Sequence, residues 1–348
     1  MPAAKTTLLQ IAKETGFSAS TVSRVLSGSS YPVNEKTREA IIQAAQRHQY
    51  APPSLRKLTS TAAERNTIGV IIPTMTNPFY TQLICGIEKK CEQYGYTPIV
   101  CSSRRNPKKE IENLKIICES GAKGILISSI NDDLSFLSAL ARQNFPIVVF
   151  DQSIEALDVS YVKFDYYAAG KLAVEHLYLK GHRRIAYLSP PLNRSVRRDA
   201  LEGYRHGLEE YLLPFREEYV IIADEEYEYN QTSYDFEKGA ELARRLVRLP
   251  ELPTAVFTIN DIMAFGVISG LSALGLRVPE DISIVGFDNL EVSAISNPPL
   301  TTINQPAFEI GHLSAKILFD QLTGKSTERK SLNLRASIVE RGSVKSMY

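Results

Sequence analysis

The sequence predicts a small all-α helix-turn-helix head followed by an α/β core of two similar parallel-sheet lobes. Three observations carry this. Residues 1–50 contain three short amphipathic segments separated by turn and capping residues. From Ile68 onward apolar strand-like runs alternate with amphipathic helical runs, and the pattern occurs twice. Charge divides the chain as well: residues 1–60 hold eight Lys/Arg against three Asp/Glu, net +5, and the remainder holds 32 against 36, net −4.

In the head, Leu8, Ile11, Ala12 and Thr15 fall on one helical stripe. Gly16 follows where a left-handed C-cap is needed. Phe17 is expected to be the buried turn residue, and Ser18 the N-cap of a second helix. That helix shows Val22, Val25 and Leu26 to the core, so Ala19, Ser20, Ser23 and Arg24 point elsewhere. A third segment runs from Asn34, another N-cap, to about Tyr50, with Ile41, Ala44, Ala45 and His48 on one face. An ordinary helical hairpin has the same pattern. The basic charge favours DNA, because phosphate contact requires a local positive field. A small polar second helix carrying one Arg suits a major groove.

Ala51-Pro52-Pro53-Ser54 breaks the third helix, and 55–58 has the makings of a short helix before a polar stretch. In the core, strands are expected near 67–73, 97–102, 124–129 and 146–151, with helices near 79–94, 108–120 and 133–143. The second pass has strands near 184–189, 219–223, 254–260 and 283–288, and helices near 195–211, 236–247 and 262–274. Each half is a βα repeat, hence a parallel sheet covered on both faces, and ligands bind beyond the carboxyl ends of such strands. Polar residues gather there: Thr74, Asn77, Phe79 and Tyr80; Asp151 and Gln152; Asn193, Arg194 and Ser195; Asn260 and Asp261; Asp288 and Asn289. Singly, each has a structural explanation, Asp261 as a helix N-cap and Asn77-Pro78 as a helix start. Together, amides, carboxylates, an Arg and aromatics suit a polyol, whose hydroxyls need donors and acceptors.

Other classes find little support. Hydrophobic residues make up 44% of the chain, but no apolar run approaches twenty residues, so no membrane span is expected. The N-terminus has no apolar signal-peptide core, which points to the cytoplasm. Cys85, Cys91, Cys101 and Cys118 lack C-x-x-C spacing and read as buried free thiols. There is no G-x-S-x-G, H-E-x-x-H or G-x-G-x-x-G. Gly324-Lys325-Ser326-Thr327 follows a predicted helix, with Phe319 where a phosphate loop needs its first Gly. His182 precedes a strand and reads as structural. No enzyme activity, metal or cofactor is expected.

The run TLLQIAKETGFSASTVSRVL resembles the DNA-binding head of the lactose/galactose repressor family of bacterial transcription regulators, TVSRVL being its recognition-helix signature. TIGVIIP, NPFY, GHRRIAYL, PTAVFTINDIMAFG, VPEDISIVGFDN and PPLTTINQP match its core in order and spacing. The resemblance covers essentially the whole chain. It implies a periplasmic-binding-protein-like clamshell, a homodimer, a pseudo-palindromic double-stranded DNA operator, and repression of a carbohydrate-utilisation operon under a small sugar-like effector. The implied divisions are a head at 1–50, a hinge at 51–66 and a core at 67–348. Within the core the first lobe takes about 67–164 and 294–325, the second about 165–293 and 326–345. The expected DNA-binding residues are Thr7, Ser18, Ala19, Ser20, Thr21, Ser23, Arg24 and Asn34. Leu58 is the candidate minor-groove wedge of a hinge helix. The expected effector-binding residues are Asn77, Phe79, Tyr80, Asp151, Arg194, Arg198, Tyr234, Asn260 and Asp288.

The chain departs from the family in four places. The hinge carries Pro52-Pro53 and is one residue short, and 27–33 has an extra residue. Ala200 replaces a common Arg, for which Arg197 or Arg198 would have to substitute. The acidic segment 224–235 is long, and forms either a solvated loop or a lip of the cleft. Two further readings stay open: a global catabolite regulator with a phosphocarrier protein as corepressor, although Asn297 stands where those members carry a basic residue, and a cytoplasmic sugar-binding module without a regulatory role.

Overall fold

The computed structural model describes residues 8–26, 33–48, 66–152, 154, 156–226, 233–326 and 328–348. The chain forms two compact units, Met1–Arg65 and Asn66–Tyr348.

The first unit contains α1 (Leu8–Thr15), α2 (Ala19–Leu26) and α3 (Glu35–Arg47). Its core is Ile11, Ala12, Val22, Val25, Ile41, Ala44 and Ala45, with Phe17 and Ala19 partly buried against it. Gly16 takes φ 73°, the left-handed cap that ends α1. The Ser18 hydroxyl accepts from the Thr21 amide at 3.2 Å, capping α2. Asn34 caps α3, accepting from Lys36 N at 3.1 Å. Two expectations change. Ala19 turns partly inward. His48 is exposed, because α3 ends at Arg47; both Arg47 and His48 reach back to Glu14 on α1.

In the second unit, β1 (Thr67–Ile72), β2 (Thr97–Ser102), β3 (Ile125–Ile127), β4 (Ile147–Asp151) and β5 (Ser160–Phe164) belong to one sheet. β6 (Ile185–Ser189), β7 (Val220–Ile222), β8 (Ala255–Thr258), β9 (Ser283–Asp288) and β10 (Thr301–Asn304) belong to another. β11 (Ser331–Leu334) joins the first sheet and β12 (Ser337–Val339) the second. The orders β11-β5-β4-β3-β1-β2 and β12-β10-β9-β8-β6-β7 are one topology used twice. All pairings are parallel except β10 with β12.

The sheets are covered by α4 (Pro78–Tyr94), α5 (Pro107–Glu119), α6 (Ser135–Arg142), α7 (Tyr166–Leu179), α8 (Ser195–Glu210), α9 (Tyr234–Leu246), α10 (Asp261–Ala273), α11 (Glu291–Ile295) and α12 (Ala307–Leu322). β1 shows the reason. Ile68, Val70 and Ile72 pack with Leu83 and Ile87 of α4 and Ile310 and Leu318 of α12 in one core cluster. Ile71 packs in another with Leu114 and Ile117 of α5. A strand apolar on both sides needs helices on both.

The chain crosses between sheets after β5, after β10 and after β11. This corrects the expected lobe division. Residues 301–304, assigned to the first lobe, pair with β9 in register Thr301↔Val285 to Asn304↔Asp288. Residues 331–334, assigned to the second, pair with β5. At the crossing after β5, Phe164 and Tyr166 meet Phe287 of β9, the Tyr166 and Phe287 rings stacked at 5.2 Å.

Candidate functional site

The carboxyl ends of both sheets face a chamber of about 50 Å³, lined by residues of both lobes and by Tyr166 and Gln305 from two of the crossings. Local sequence places its walls. Asn77 caps α4 by accepting from Phe79 N at 2.9 Å, and Pro78 opens the helix, so Phe79 and Tyr80 sit at its mouth. Their rings meet edge to face at 5.1 Å. Asn260 caps α10, accepting from Met263 N at 2.7 Å. Arg194 stands at the N-terminus of α8.

β4 and β9 both end in Asp on a positive-φ backbone, Asp151 at 71° and Asp288 at 116°. Such conformations cost about 1–3 kcal/mol each and persist only where the surroundings enforce them. For Asp288 the enforcing residue is Asp261. Its carboxylate accepts from Ser293 Oγ at 2.6 Å, Thr302 Oγ1 at 2.6 Å and Leu290 N at 2.9 Å, pinning the loop after β9. A Cβ at Gly286 would lie 2.2 Å from Asp261 Oδ1, so the Gly of the Gly286-Phe287-Asp288 run makes room for that carboxylate. The helix cap is therefore Asn260 and not the expected Asp261, which organises the loop instead.

Bonds across the chamber join the lobes. Asn77 Nδ2 donates to Asp288 Oδ2 at 3.2 Å. Arg194 donates to Ser128 Oγ at 3.0 Å and pairs with Asp151 Oδ2 at 3.3 Å. Arg105, whose backbone is left-handed at φ 56°, donates to Glu226 at 2.5 Å and Asp235 at 2.6 Å. Gln305 Nε2 and the Tyr166 hydroxyl both donate to Asp151 Oδ1. Arg194 Nε, Arg105 Nε and Asp235 Oδ1 are buried without a hydrogen-bond partner. Burial, aided by the charge of Asp261, pushes Asp288 well above the usual carboxylate range. Burial also raises Asp261, to about 6. Burial would raise Glu226, but Arg197 and then Arg105 outweigh it and hold that carboxyl far below its ordinary value.

Asn77, Phe79, Tyr80, Asp151, Arg194, Asn260 and Asp288 thus line one chamber. Two expected contacts do not. Arg198 is exposed and donates to Leu192 O at 2.7 Å; one helical step earlier, Arg197 faces inward and lines the chamber. Tyr234 lies behind Arg105, whose guanidinium sits 5.1 Å from its ring centroid, while the adjacent Asp235 lines the chamber. Sequence reasoning missed Arg105, Tyr166, Asp235 and Gln305. Arg105 and Gln305 had a signal: each follows a strand end by one to three residues.

On the head, Ser20, Ser23 and Arg24 are exposed and Thr21 is half-buried. Ser18 Oγ lies 2.9 Å from Ser20 Oγ and 2.8 Å from Thr21 Oγ1. Thr7, Leu58, the hinge at 51–65 and the extra residue within 27–32 lie outside the described residues. His182 is buried, between Thr254 Oγ1 at 3.0 Å and Lys345 O at 3.2 Å. Gly324 takes φ 68° just after α12, a helix end. Cys91 is buried, whereas Cys85 is at the surface and Cys101 and Cys118 are half-buried. Among the described residues no helix is long and apolar enough to cross a membrane.

Comparison with known proteins agrees with this fold. Residues 7–53 match the model of bacterial regulatory proteins, lacI family, and residues 174–344 that of a periplasmic binding protein-like domain. The chain is 30% identical to the HTH-type transcriptional repressor PurR of Photobacterium profundum, over 98% of this chain and 99% of that protein. It is 31% identical to the ribose operon repressor of Escherichia coli K12, over 97% and 99%. Among solved structures, the transcriptional regulator CelR in complex with cellobiose superposes with a TM-score of 0.71 at 28% identity, covering 97% of this chain and 99% of that one.

Proposed function

Because this chain belongs to the lacI family of bacterial regulatory proteins, we propose that it represses a carbohydrate-utilisation operon and answers to a small sugar or sugar derivative bound between its lobes. It is a DNA-binding transcription regulator of a non-enzymatic family, and regulators of this family bind operator DNA as dimers. It works where its operator is, in the cytoplasm.

The observation that carries the effector reading is the chamber. Hydroxyls, amides, carboxyls and guanidiniums from both lobes converge there beside three aromatic rings, Phe79, Tyr80 and Tyr166. Three buried polar atoms, Arg194 Nε, Arg105 Nε and Asp235 Oδ1, stand ready for a ligand's hydroxyls. A ligand that bonds both lobes favours one lobe arrangement over another, and that differential affinity is the coupling free energy. The first lobe is the one whose β1 follows the head in the chain. Among the relatives, one is named a ribose operon repressor and one solved regulator holds cellobiose, and a sugar suits this chamber's mixture of donors and acceptors. Asn297, where a basic residue would serve a phosphocarrier, weighs against the catabolite-regulator reading.

On the head, Arg24 of α2 reads bases, Ala19 and Ser20 at the start of that helix set which operator is chosen, and Ser18, Thr21, Ser23 and Asn34 complete the DNA-binding set. Arg reads guanine through a bidentate pair worth ~1–3 kcal/mol. In gel-shift titration Arg24→Ala is expected to abolish specific operator binding, while the core keeps its melting temperature. Unchanged operator affinity would remove Arg24 from the reading face.

A further inference from the structure

Glu226 comes from the acidic segment that is longer here than in the resembled family, and its carboxylate lies between two guanidiniums. Arg197 grips it end-on, Nη1 to Oε2 at 2.8 Å and Nη2 to Oε1 at 2.6 Å. Arg105 donates to Oε1 at 2.5 Å from the other lobe. Asn193 Nδ2 approaches Oε2 at 3.3 Å. The three charged side chains are 5–8% exposed. Two guanidiniums and an amide around one pair of oxygens form the kind of cradle that recognises a carboxylate or a phosphate. The protein fills that cradle with its own side chain.

We propose that Glu226 is a specificity-determining residue: it occupies an oxyanion site built by Arg105, Arg197 and Asn193, and so restricts the cleft to ligands without a phosphate or carboxylate. This deepens, and rests on, the reading of the cleft as the effector site. Charge balance supports it. Arg194 is matched by Asp151, and Arg105 and Arg197 by Glu226 and Asp235. A neutral polyol leaves those pairs intact. An anionic ligand must either expel Glu226 or sit beside it, and a like charge in a dry site is strongly repelled. The segment is anchored where it enters the cleft, because the Tyr234 hydroxyl donates to Glu225 O.

The test removes the internal anion and supplies an external one. Glu226→Ala and the isosteric Glu226→Gln are melted in the full chain with inorganic phosphate, acetate or chloride at matched ionic strength. Both variants should melt below wild type. Phosphate should then raise their melting temperature saturably by about 2–5 °C, as expected for ~10 Kd of ligand, while leaving wild type unmoved. Acetate rescue distinguishes a site that also takes carboxylates from one that takes phosphate alone. Adding Arg197→Met should abolish the rescue. The proposal is overturned if phosphate moves wild type and variants equally, or if rescue survives without Arg197. Because no effector is used, this outcome is independent of whether a sugar acts at the cleft.

Discussion

Asp151 and Asp288 occupy the same place in two copies of one topology, at the end of the fourth strand of each lobe and on a positive-φ backbone. Their chemistry differs. Asp151 is met by a guanidinium, an amide and a phenol, from Arg194, Gln305 and Tyr166. Asp288 receives the Asn77 amide and lies buried near the charge of Asp261; burial and that charge together push its carboxyl well above the usual range. Topology sets where a strand-end carboxyl stands, and the side chains arriving from elsewhere decide its charge. A ligand between them meets a carboxyl paired with a guanidinium at one end and, at the other, a carboxyl whose charged form burial disfavours. That polarity orients an otherwise pseudo-symmetric cleft.

The largest effect should come from breaking the Arg194–Asp151 end. Arg194→Met leaves the buried Asp151 without its cation, and such losses cost ~3–5 kcal/mol. Urea unfolding should register this as a clear drop in midpoint. A cost below about 1 kcal/mol would mean the Asp151 charge is already satisfied by Gln305 and Tyr166.

Next come matched amide substitutions. Asp151→Asn removes the charge opposite Arg194 and should cost ~2–3 kcal/mol. Asp288→Asn replaces a carboxyl whose charged form burial disfavours by a neutral amide, on a backbone that Asn tolerates, and should cost less than about 1 kcal/mol. Equal costs in chemical denaturation would erase the distinction between the two ends.

Several features of this comparison were legible in the sequence and several were not. The caps at Gly16, Ser18, Asn34 and Asn77 act locally, so residue type and position suffice to find them, whereas at α10 the cap is Asn260 and not the neighbouring Asp261 that the sequence suggested. Asp151, Arg194 and Asp288 were visible because strand ends in a βα repeat can be counted. Arg105 also follows a strand end, but its pairing was not legible, since its partners Glu226 and Asp235 lie 121 and 130 residues away. On α8 the choice between Arg197 and Arg198 is one helical step, and only packing shows which faces in. β10 and β11 are four-residue strands near crossings, where nothing local specifies which sheet they join.

A smaller effect concerns pH. Asp261 is raised from 3.8 to about 6 in the folded chain. A raised pKa means that the folded state holds the proton more tightly, so this contribution is full below about 4 and is lost as pH rises through about 6. Asp261→Asn fits the site if Thr302 turns its hydroxyl to Ile303 O, 3.3 Å away. The stability difference between this variant and wild type should grow in the variant's favour from pH 4 to 7. A difference flat across that window would place the Asp261 pKa near its ordinary value. His182, pushed down to about 4 by burial, acts oppositely, losing stability as pH falls from about 6.5 to 4.

The central claim is that the chamber between the lobes is where a small molecule governs operator binding. The most direct measurement is a gel-shift titration of wild type and Asp288→Ala against a panel of pentoses, hexoses and disaccharides. The expected result is that a sugar shifting the operator affinity of wild type needs at least about tenfold higher concentration in Asp288→Ala, because stranded ligand donors cost ~1–3 kcal/mol, while the two proteins bind operator equally without sugar. The same sugar response midpoint in both would contradict the account and place the control of DNA binding outside this cleft.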